Sequence, residues 1–276
     1  MSIQTYFQPR SLAEATSLLA EHGPSLLIMA GGTVVMPLIN DGVSTPEKVM
    51  GLRQAGLSYV RREDGVVRIG ATTPLTQMLD LAAIPLLQEA ARHTATWTIR
   101  NMGTAGGNLF VPPPAGDFAV ALLALNAQVK LARAGGERIV PLASFWSGFM
   151  QTALAADELL AEIMVPVPAG RTAFVKYGRK HANTPAIVTV AAHVVLNGGR
   201  VQQARLALGA AGPHPIRARK AEASLEGREM SDTSIAAAAA LAAEESEPFT
   251  DGVASEWYRR RMVKVQVGRA LSQISQ

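Results

Sequence analysis

Two short glycine-rich stretches carry the clearest chemical potential in this chain. In the first, Ala30-Gly31-Gly32-Thr33 lies between an apolar run, Leu26 to Met29, and a second one that begins at Val34. Consecutive glycines allow a tight turn that brings bare backbone N–H groups close to an anion. A helix opening directly after them adds unpaired donors and the positive end of its dipole, and the threonine adds a hydroxyl. Alone, such a pair of glycines is more often only a turn. It lacks the lysine of a P-loop and the Gly-x-Gly-x-x-Gly spacing of a Rossmann unit. The second stretch is Gly103-Thr104-Ala105-Gly106-Gly107-Asn108, beside Ile99-Arg100-Asn101 and with Asp117 nine residues after Asn108. Three glycines, a hydroxyl and a carboxamide form another potential anion nest. Asp117 can accept hydrogen bonds from the hydroxyls of a ribose or ribitol chain. It can equally cap a following helix, and the two roles are compatible. Two converging nests suit the diphosphate of a dinucleotide cofactor.

Composition removes several other chemistries. The chain has 276 residues and no cysteine. That excludes disulfides, cysteine-ligated iron–sulfur clusters, thiolate zinc sites and a cysteine nucleophile. Of His22, His93, His181, His193 and His214, no two stand at the short spacing of a metal site. No metal ligand is expected. The formal net charge is +4, and the basic excess is scattered apart from Arg259-Arg260-Arg261 with Lys264. That cluster reads as a solvated helix face or a subunit contact, with a nucleic-acid patch as the other option. No aromatic residues interleave with a basic groove elsewhere, so no nucleic-acid partner is expected. The N-terminus lacks the basic and apolar regions of a signal peptide, and apolar stretches break well short of a membrane span. A soluble, cytoplasmic protein is the expectation.

The elements around the loops are legible from periodicity and punctuation. Ser11 to Glu14 has the form of a capping box, followed by apolar residues at helical spacing up to the stop signals at His22-Gly23-Pro24. Leu26 to Met29 reads as a strand, Val34 to Ile39 as a short helix and Lys48 to Gly51 as a return strand. Val66 to Gly70 is a further strand. Thr73-Pro74 is a helix start with proline at the first position, and Pro85 to Thr94 forms another helix. The polar segment from Thr98 to Asn108 reads as irregular. Asp117 caps a helix over Phe118 to Ala124. Gln128 to Ala132 and Glu137 to Val140 form a hairpin, and Leu159 to Val165 closes this part before Pro166-Val167-Pro168. Beyond Arg171 come three strands, Thr172 to Tyr177, Ala186 to Leu196 and Arg200 to Leu208. Asn197-Gly198-Gly199 is the hairpin turn between the last two. Helices follow over Ile216 to Leu225, Ser234 to Ala243 and Ser255 to Ser272. The fold class is α+β.

The paired loops, Ala30 to Thr33 and Thr98 to Asn108, resemble the two FAD-binding motifs of the molybdenum hydroxylase flavoprotein. This is the medium subunit of the carbon monoxide dehydrogenase and xanthine dehydrogenase family. The resemblance runs over essentially the whole chain and includes Asp157 to Ile163 and Gly209 to Arg217. It implies a two-subdomain FAD-binding domain of the vanillyl-alcohol oxidase type over residues 1–170, with subdomains of about 1–55 and 56–170. A smaller α+β domain over 171–276, with a three-stranded sheet and helices, then follows. Ile28, Met29, Ala30, Gly31, Gly32, Thr33, Val34 and Val35 correspond to the first pyrophosphate loop. Thr104, Gly106, Gly107 and Asn108 correspond to the second. Asp117 matches a position that contacts the flavin's sugar-like chain, and Leu160 and Lys176 match positions near the isoalloxazine. A cation at Lys176 could stabilise an anionic reduced flavin; it could also be an exposed strand-end lysine.

Three features depart from the family. Met102 stands where arginine is common. The link Phe110 to Gly116 is unusually proline-rich. An aromatic residue able to shield the flavin is missing around His181-Ala182-Asn183-Thr184. The resemblance further implies substrate hydroxylation at a molybdenum–pterin centre on a large partner subunit and electron passage through [2Fe-2S] clusters on a small one. Electrons then reach FAD in this chain, and the whole is a dimer of heterotrimers. No catalytic acid, base or nucleophile is required here. A stand-alone FAD oxidoreductase of the vanillyl-alcohol oxidase type is the alternative, although little chain after Arg171 is available for a substrate domain. A nucleotide-binding scaffold that has lost flavin is a second one.

Overall fold

The computed structural model describes residues 3–180 and 183–276. The first unit is a three-stranded parallel sheet. Its strands are β1 (Thr5–Phe7), β2 (Leu26–Met29) and β3 (Lys48–Gly51), with β3 in the middle. Helix α1 (Leu12–His22) connects β1 to β2, and α2 (Val35–Asn40) leaves the first glycine loop. Ser11 caps α1 by accepting from the Glu14 N–H at 3.1 Å. The Glu14 carboxylate accepts from the N–H of Arg10 at 2.7 Å instead of closing the box on Ser11. Ala15, Leu19, Leu26 and Met50 form the core of this unit together with Leu57, Leu159 and Ala161 from the next one.

The second unit is a five-stranded antiparallel sheet. It contains β4 (Val60–Glu63), β5 (Val66–Gly70), β6 (Gln128–Arg133), β7 (Gly136–Pro141) and β10 (Leu159–Pro166), in the order β4-β5-β10-β6-β7. A small hairpin, β8 (Trp146–Gly148) with β9 (Gln151–Thr152), stands apart. Helices α3 (Pro85–His93), α4 (Trp97–Met102) and α5 (Asp117–Ala124) lie in the long β5–β6 connection. All eight residues of α5 are buried. A helix apolar on every side must have protein on every side, and α5 packs against α3 and against the third unit.

That third unit has β11 (Arg171–Gly178), β12 (Ala186–Asn197), β13 (Arg200–Gly209) and β14 (Ile216–Arg217) in sequential antiparallel order. It is covered by α6 (Arg219–Leu225), α7 (Asp232–Glu245) and α8 (Glu256–Ser275). Gly198 and Gly199 turn the β12–β13 hairpin with φ of 56° and 81°, the two positive values that a tight type I′ connection demands.

Four expectations are corrected. The segment from Thr98 is irregular only over Gly103 to Gly106. Thr96 accepts from the Ile99 N–H at 3.3 Å and starts α4, and a 3-10 turn follows at Gly107–Phe110. The helix expected after Thr73-Pro74 is a 3-10 turn, Leu75–Asp80, with Pro74 just outside it. The helix expected from Ile216 begins at Arg219, because Ile216 and Arg217 pair with Leu208 and Ala207 as a fourth strand. Finally, Arg259 does not belong to a solvated face. Its side chain is fully buried, donates to the carbonyls of Ala186 and Ile187 at 3.1 and 2.8 Å, and forks onto Asp251 at 2.8 and 2.9 Å.

Candidate cofactor site

The first glycine loop leaves the C-terminal end of β2. Gly31 lies directly on the second loop: a Cβ there would stand 1.9 Å from the Met102 carbonyl oxygen and 3.1 Å from the Gly103 Cα. Only glycine permits that approach. Gly32 completes the turn with φ of 73°. Among the described residues, the N–H groups of Gly31, Gly32, Thr33 and Val34 find no acceptor within the chain. Buried or half-buried donors left this way need an external partner.

The second loop is stapled to the segment that follows β5. Leu75 N–H donates to Gly103 O at 2.9 Å, Ala105 N–H to Thr73 O at 2.9 Å and Gly106 N–H to Ala71 O at 3.0 Å. The Thr104 hydroxyl accepts from the Gly107 N–H at 3.0 Å. A Cβ on Gly106 would meet Ala71 O at 2.7 Å, so this loop too depends on missing side chains. The Asn108 side-chain oxygen accepts from the Ala119 N–H at 3.0 Å. Asn108 therefore caps α5 from a distance, while Gly116, at φ of 90°, turns the chain into the helix. The expectation that Asp117 caps α5 is corrected: Asp117 is already inside the helix, and its carboxylate is directed elsewhere.

One cavity of about 680 Å³ lies between the loops, within the size range of small-molecule sites. Ile28, Ala30, Gly31, Gly32, Thr33, Val34 and Val35 line it from one side, and Thr104, Gly106, Gly107 and Asn108 from the other. Asp117, Leu160 and Lys176 also reach it. Met29 does not. Side chains of a strand alternate between faces, and the Met29 sulfur lies beside Gly32, 3.3 Å from where a Cβ would stand. Met102 turns its side chain outward, half exposed, and does not line the cavity; its carbonyl stands against Gly31. Of the segment in which an aromatic residue was expected, His181 and Ala182 lie outside the described residues, whereas Asn183 and Thr184 line the cavity. Among the described residues, the aromatic ring that does line it is Phe110, packed edge-on to Phe145 at 5.7 Å.

Lys176 is not an exposed strand-end lysine. Its ammonium donates to Asp117 Oδ2 at 2.6 Å and to the His93 carbonyl at 3.0 Å, with the side chain 9% exposed. The other Asp117 oxygen accepts from the Thr189 hydroxyl at 2.6 Å. Sequence reasoning also missed Glu158, a buried cavity-lining carboxylate. It accepts from Arg138 Nε and Nη2 at 2.7 and 2.8 Å and from the Ala155 N–H at 2.8 Å. The guanidinium holds the Glu158 carboxyl below its ordinary pKa. Its available signal was the Asp157-Glu158 pair ahead of an apolar strand.

The unpaired N–H groups of the first loop and the Lys176 ammonium suit an anionic dinucleotide, whereas the N–H groups of Ala105 to Asn108 are all taken within the chain, so the expected second nest offers no free donors. No helix of the described residues is long and apolar enough to cross a membrane.

Comparison with known proteins agrees. Residues 1–168 match the model of the FAD binding domain in molybdopterin dehydrogenase. Residues 173–274 match the CO dehydrogenase flavoprotein C-terminal domain. The glyceraldehyde dehydrogenase medium chain of Sulfolobus acidocaldarius is 31% identical, with 98% of each chain covered. The carbon monoxide dehydrogenase medium chain of Afipia carboxidovorans is 32% identical over 96% of this chain and 94% of its own. In the crystal structure of the cyanide-inactivated Cu,Mo-CO dehydrogenase, one chain superposes with a TM-score of 0.93 at 31% identity, covering 100% of this chain and 99% of that one. With a family model spanning most of its length and relatives of this similarity end to end, the chain belongs to the family of FAD-binding medium subunits of the molybdopterin dehydrogenases.

Proposed function

We propose that this chain is the FAD-carrying electron-transfer subunit of a molybdenum hydroxylase, and that the cofactor occupies the cavity between the two glycine loops. The observation that carries this reading is the backbone contact of Gly31 with Met102 and Gly103, which brings both loops to one cavity. The unpaired N–H groups of Gly31 to Val34 bind the diphosphate, and the Thr104 to Asn108 turn, its own donors engaged within the chain, shapes the other side of the cavity. Met29 stands outside the cavity lining and has no contact in this reading. Leu160 and the Lys176 ammonium lie where they can meet the ring system. Bound FAD supplies the one- and two-electron chemistry. The residues of the chain bind the cofactor, orient it and exclude water, and none has to act as acid, base or nucleophile.

The reading extends to partners. Relatives are named medium chains and FAD-binding subunits, and the absence of cysteine leaves iron–sulfur ligation to another polypeptide. A large molybdopterin-binding subunit, a small [2Fe-2S] subunit and a cytoplasmic dimer of heterotrimers complete the proposal. In it, residues 1–170 form the FAD domain and 171–276 close the cavity from the other side.

The test is the absorbance spectrum of the native, copurified complex, with metal analysis and subunit sizing. Flavin and iron–sulfur bands with molybdenum and two further subunits are expected. A monomer that carries flavin alone and turns over a substrate would overturn the electron-transfer reading.

A further inference from the structure

Lys176 and Thr189 are directly opposite each other across the β11–β12 ladder. They therefore stand side by side on one face of the sheet. Both reach the same carboxylate, that of Asp117 at the start of α5, one on each oxygen and each at 2.6 Å. Thr189 and Asp117 are 1% and 5% exposed, so this is not a solvent-screened surface pair. The packing is built for it. On the other side of β12, Thr189 faces Gly209, where a Cβ would stand 2.6 Å from the Val120 methyl of α5. The missing side chain lets the helix approach close enough for Asp117 to reach both partners.

Donor counting gives this cluster a direction. An ammonium has three N–H donors. Two of those on Lys176 are taken by Asp117 and the His93 carbonyl, which leaves one for the cavity that Lys176 lines. The Thr189 hydroxyl, in turn, holds the Asp117 carboxylate in the one orientation that presents its second oxygen to Lys176.

We infer that Thr189 is a positioning residue for the cofactor: acting through Asp117, it fixes the place and direction of the Lys176 ammonium in the cofactor cavity. This rests on the proposed FAD site. It assigns Asp117 to holding the lysine before any contact with cofactor hydroxyls.

The test uses the full chain, in its native complex and after flavin removal, with Thr189→Val, which keeps the shape and deletes the donor, and Thr189→Ser, which restores it. FAD affinity, the flavin absorbance envelope and the flavin midpoint potential are measured alongside apoprotein melting. A lost hydrogen bond to a charged group predicts about tenfold weaker FAD binding in Thr189→Val. A displaced potential is expected with it, and recovery of both in Thr189→Ser. If Thr189→Val lowers apoprotein melting but leaves affinity, spectrum and potential at wild-type values, the residue is only structural and the inference falls. A wild-type chain that binds no FAD would overturn the cofactor reading itself, a different outcome from a variant that binds as wild type does.

Discussion

Replacing Gly31 by alanine asks the structure a sharp question, because the added methyl has nowhere to go. Its carbon would stand 1.9 Å from the Met102 carbonyl oxygen and 2.7 Å from the carbonyl carbon. Both obstacles are backbone. Opening the contact to 3.0 Å, below which real Cβ atoms are essentially never found, requires at least about 1.1 Å of separation between the loops. The second loop cannot yield alone, since Leu75, Ala105 and Gly106 tie it to the chain after β5. The first loop must therefore move, and its row of free N–H groups moves with it. Overpacking of this kind costs about 1–3 kcal/mol. If that strain is relieved by pulling the loops apart, it is charged to cofactor binding, and about 1.4 kcal/mol corresponds to a tenfold change. Gly31→Ala should therefore bind FAD about 5- to 150-fold more weakly, measured by titrating flavin-free protein and following flavin fluorescence. Circular dichroism should show a folded chain, because the strain lies in two surface-connected loops and not in the three cores. A folded Gly31→Ala variant with wild-type FAD affinity would refute the reasoning, since the loops would then not be held at the separation on which the site depends.

Other expectations follow from buried groups and from one glycine without a task. Gly268 lies within α8, where a Cβ would meet nothing within 4 Å, so Gly268→Ala should raise chemical-denaturation stability by about 0.5–1 kcal/mol; a loss would mean that the helix is not regular there. Arg259→Met strands Asp251 and three carbonyl groups that the guanidinium serves. It should cost about 3–5 kcal/mol, and a urea midpoint close to wild type would contradict the buried fork. His193 receives a hydrogen bond from Arg205 at Nδ1, since a guanidinium only donates, and so carries its proton on Nε2, facing Ala169 O at 2.6 Å. Burial, aided by Arg205 and Arg217, holds its pKa below the ordinary value. The unfolded chain then takes up the proton first, so this stabilisation is present above about pH 6.5 and is lost as pH falls below it. Urea midpoints should drop between about pH 7.5 and pH 5.5 in the wild type and drop less in His193→Gln; equal slopes would remove His193 from the account.

How much of this was legible depended on how local the cause was. The β12–β13 hairpin follows from alternating apolar residues and two glycines in a row, and both ends fall within a residue of expectation. Strands β1 and β4 have short, mostly exposed faces, three and four residues long, that carry no periodic signal; their partners decide them. The start of α6 was misplaced because a tertiary event wins locally: Ile216 and Arg217 pair with β13, and Arg217 Nη2 reaches Glu222 at 2.7 Å. Arg259 misled for a related reason. Its neighbours Arg260 and Arg261 do lie on the outer face, pairing with Glu256 and stacking on Trp257. A run of like charges on a helix cannot reveal which member turns inward.

The site shows the same division. Glycines that must admit another backbone can be recognised by their company in sequence, and both loops were. The carboxylate–lysine–threonine cluster joins residues 117, 176 and 189, and its cause is register, which sequence spacing does not express. Because side chains alternate along a strand, a slip of one residue between β11 and β12 would send Lys176 or Thr189 to the opposite face. The irregularities in this sheet fall outside the cluster, between Tyr177 and Gly178 and between Val195 and Leu196. The regular central register is thus what places an ammonium and a hydroxyl on one carboxylate. Buried α5, apolar on every side except at its first residue, supplies that carboxylate where the second unit packs on the third. The third unit accordingly does more than line the cavity, since the ammonium there is contributed by its sheet and held by that sheet's pairing.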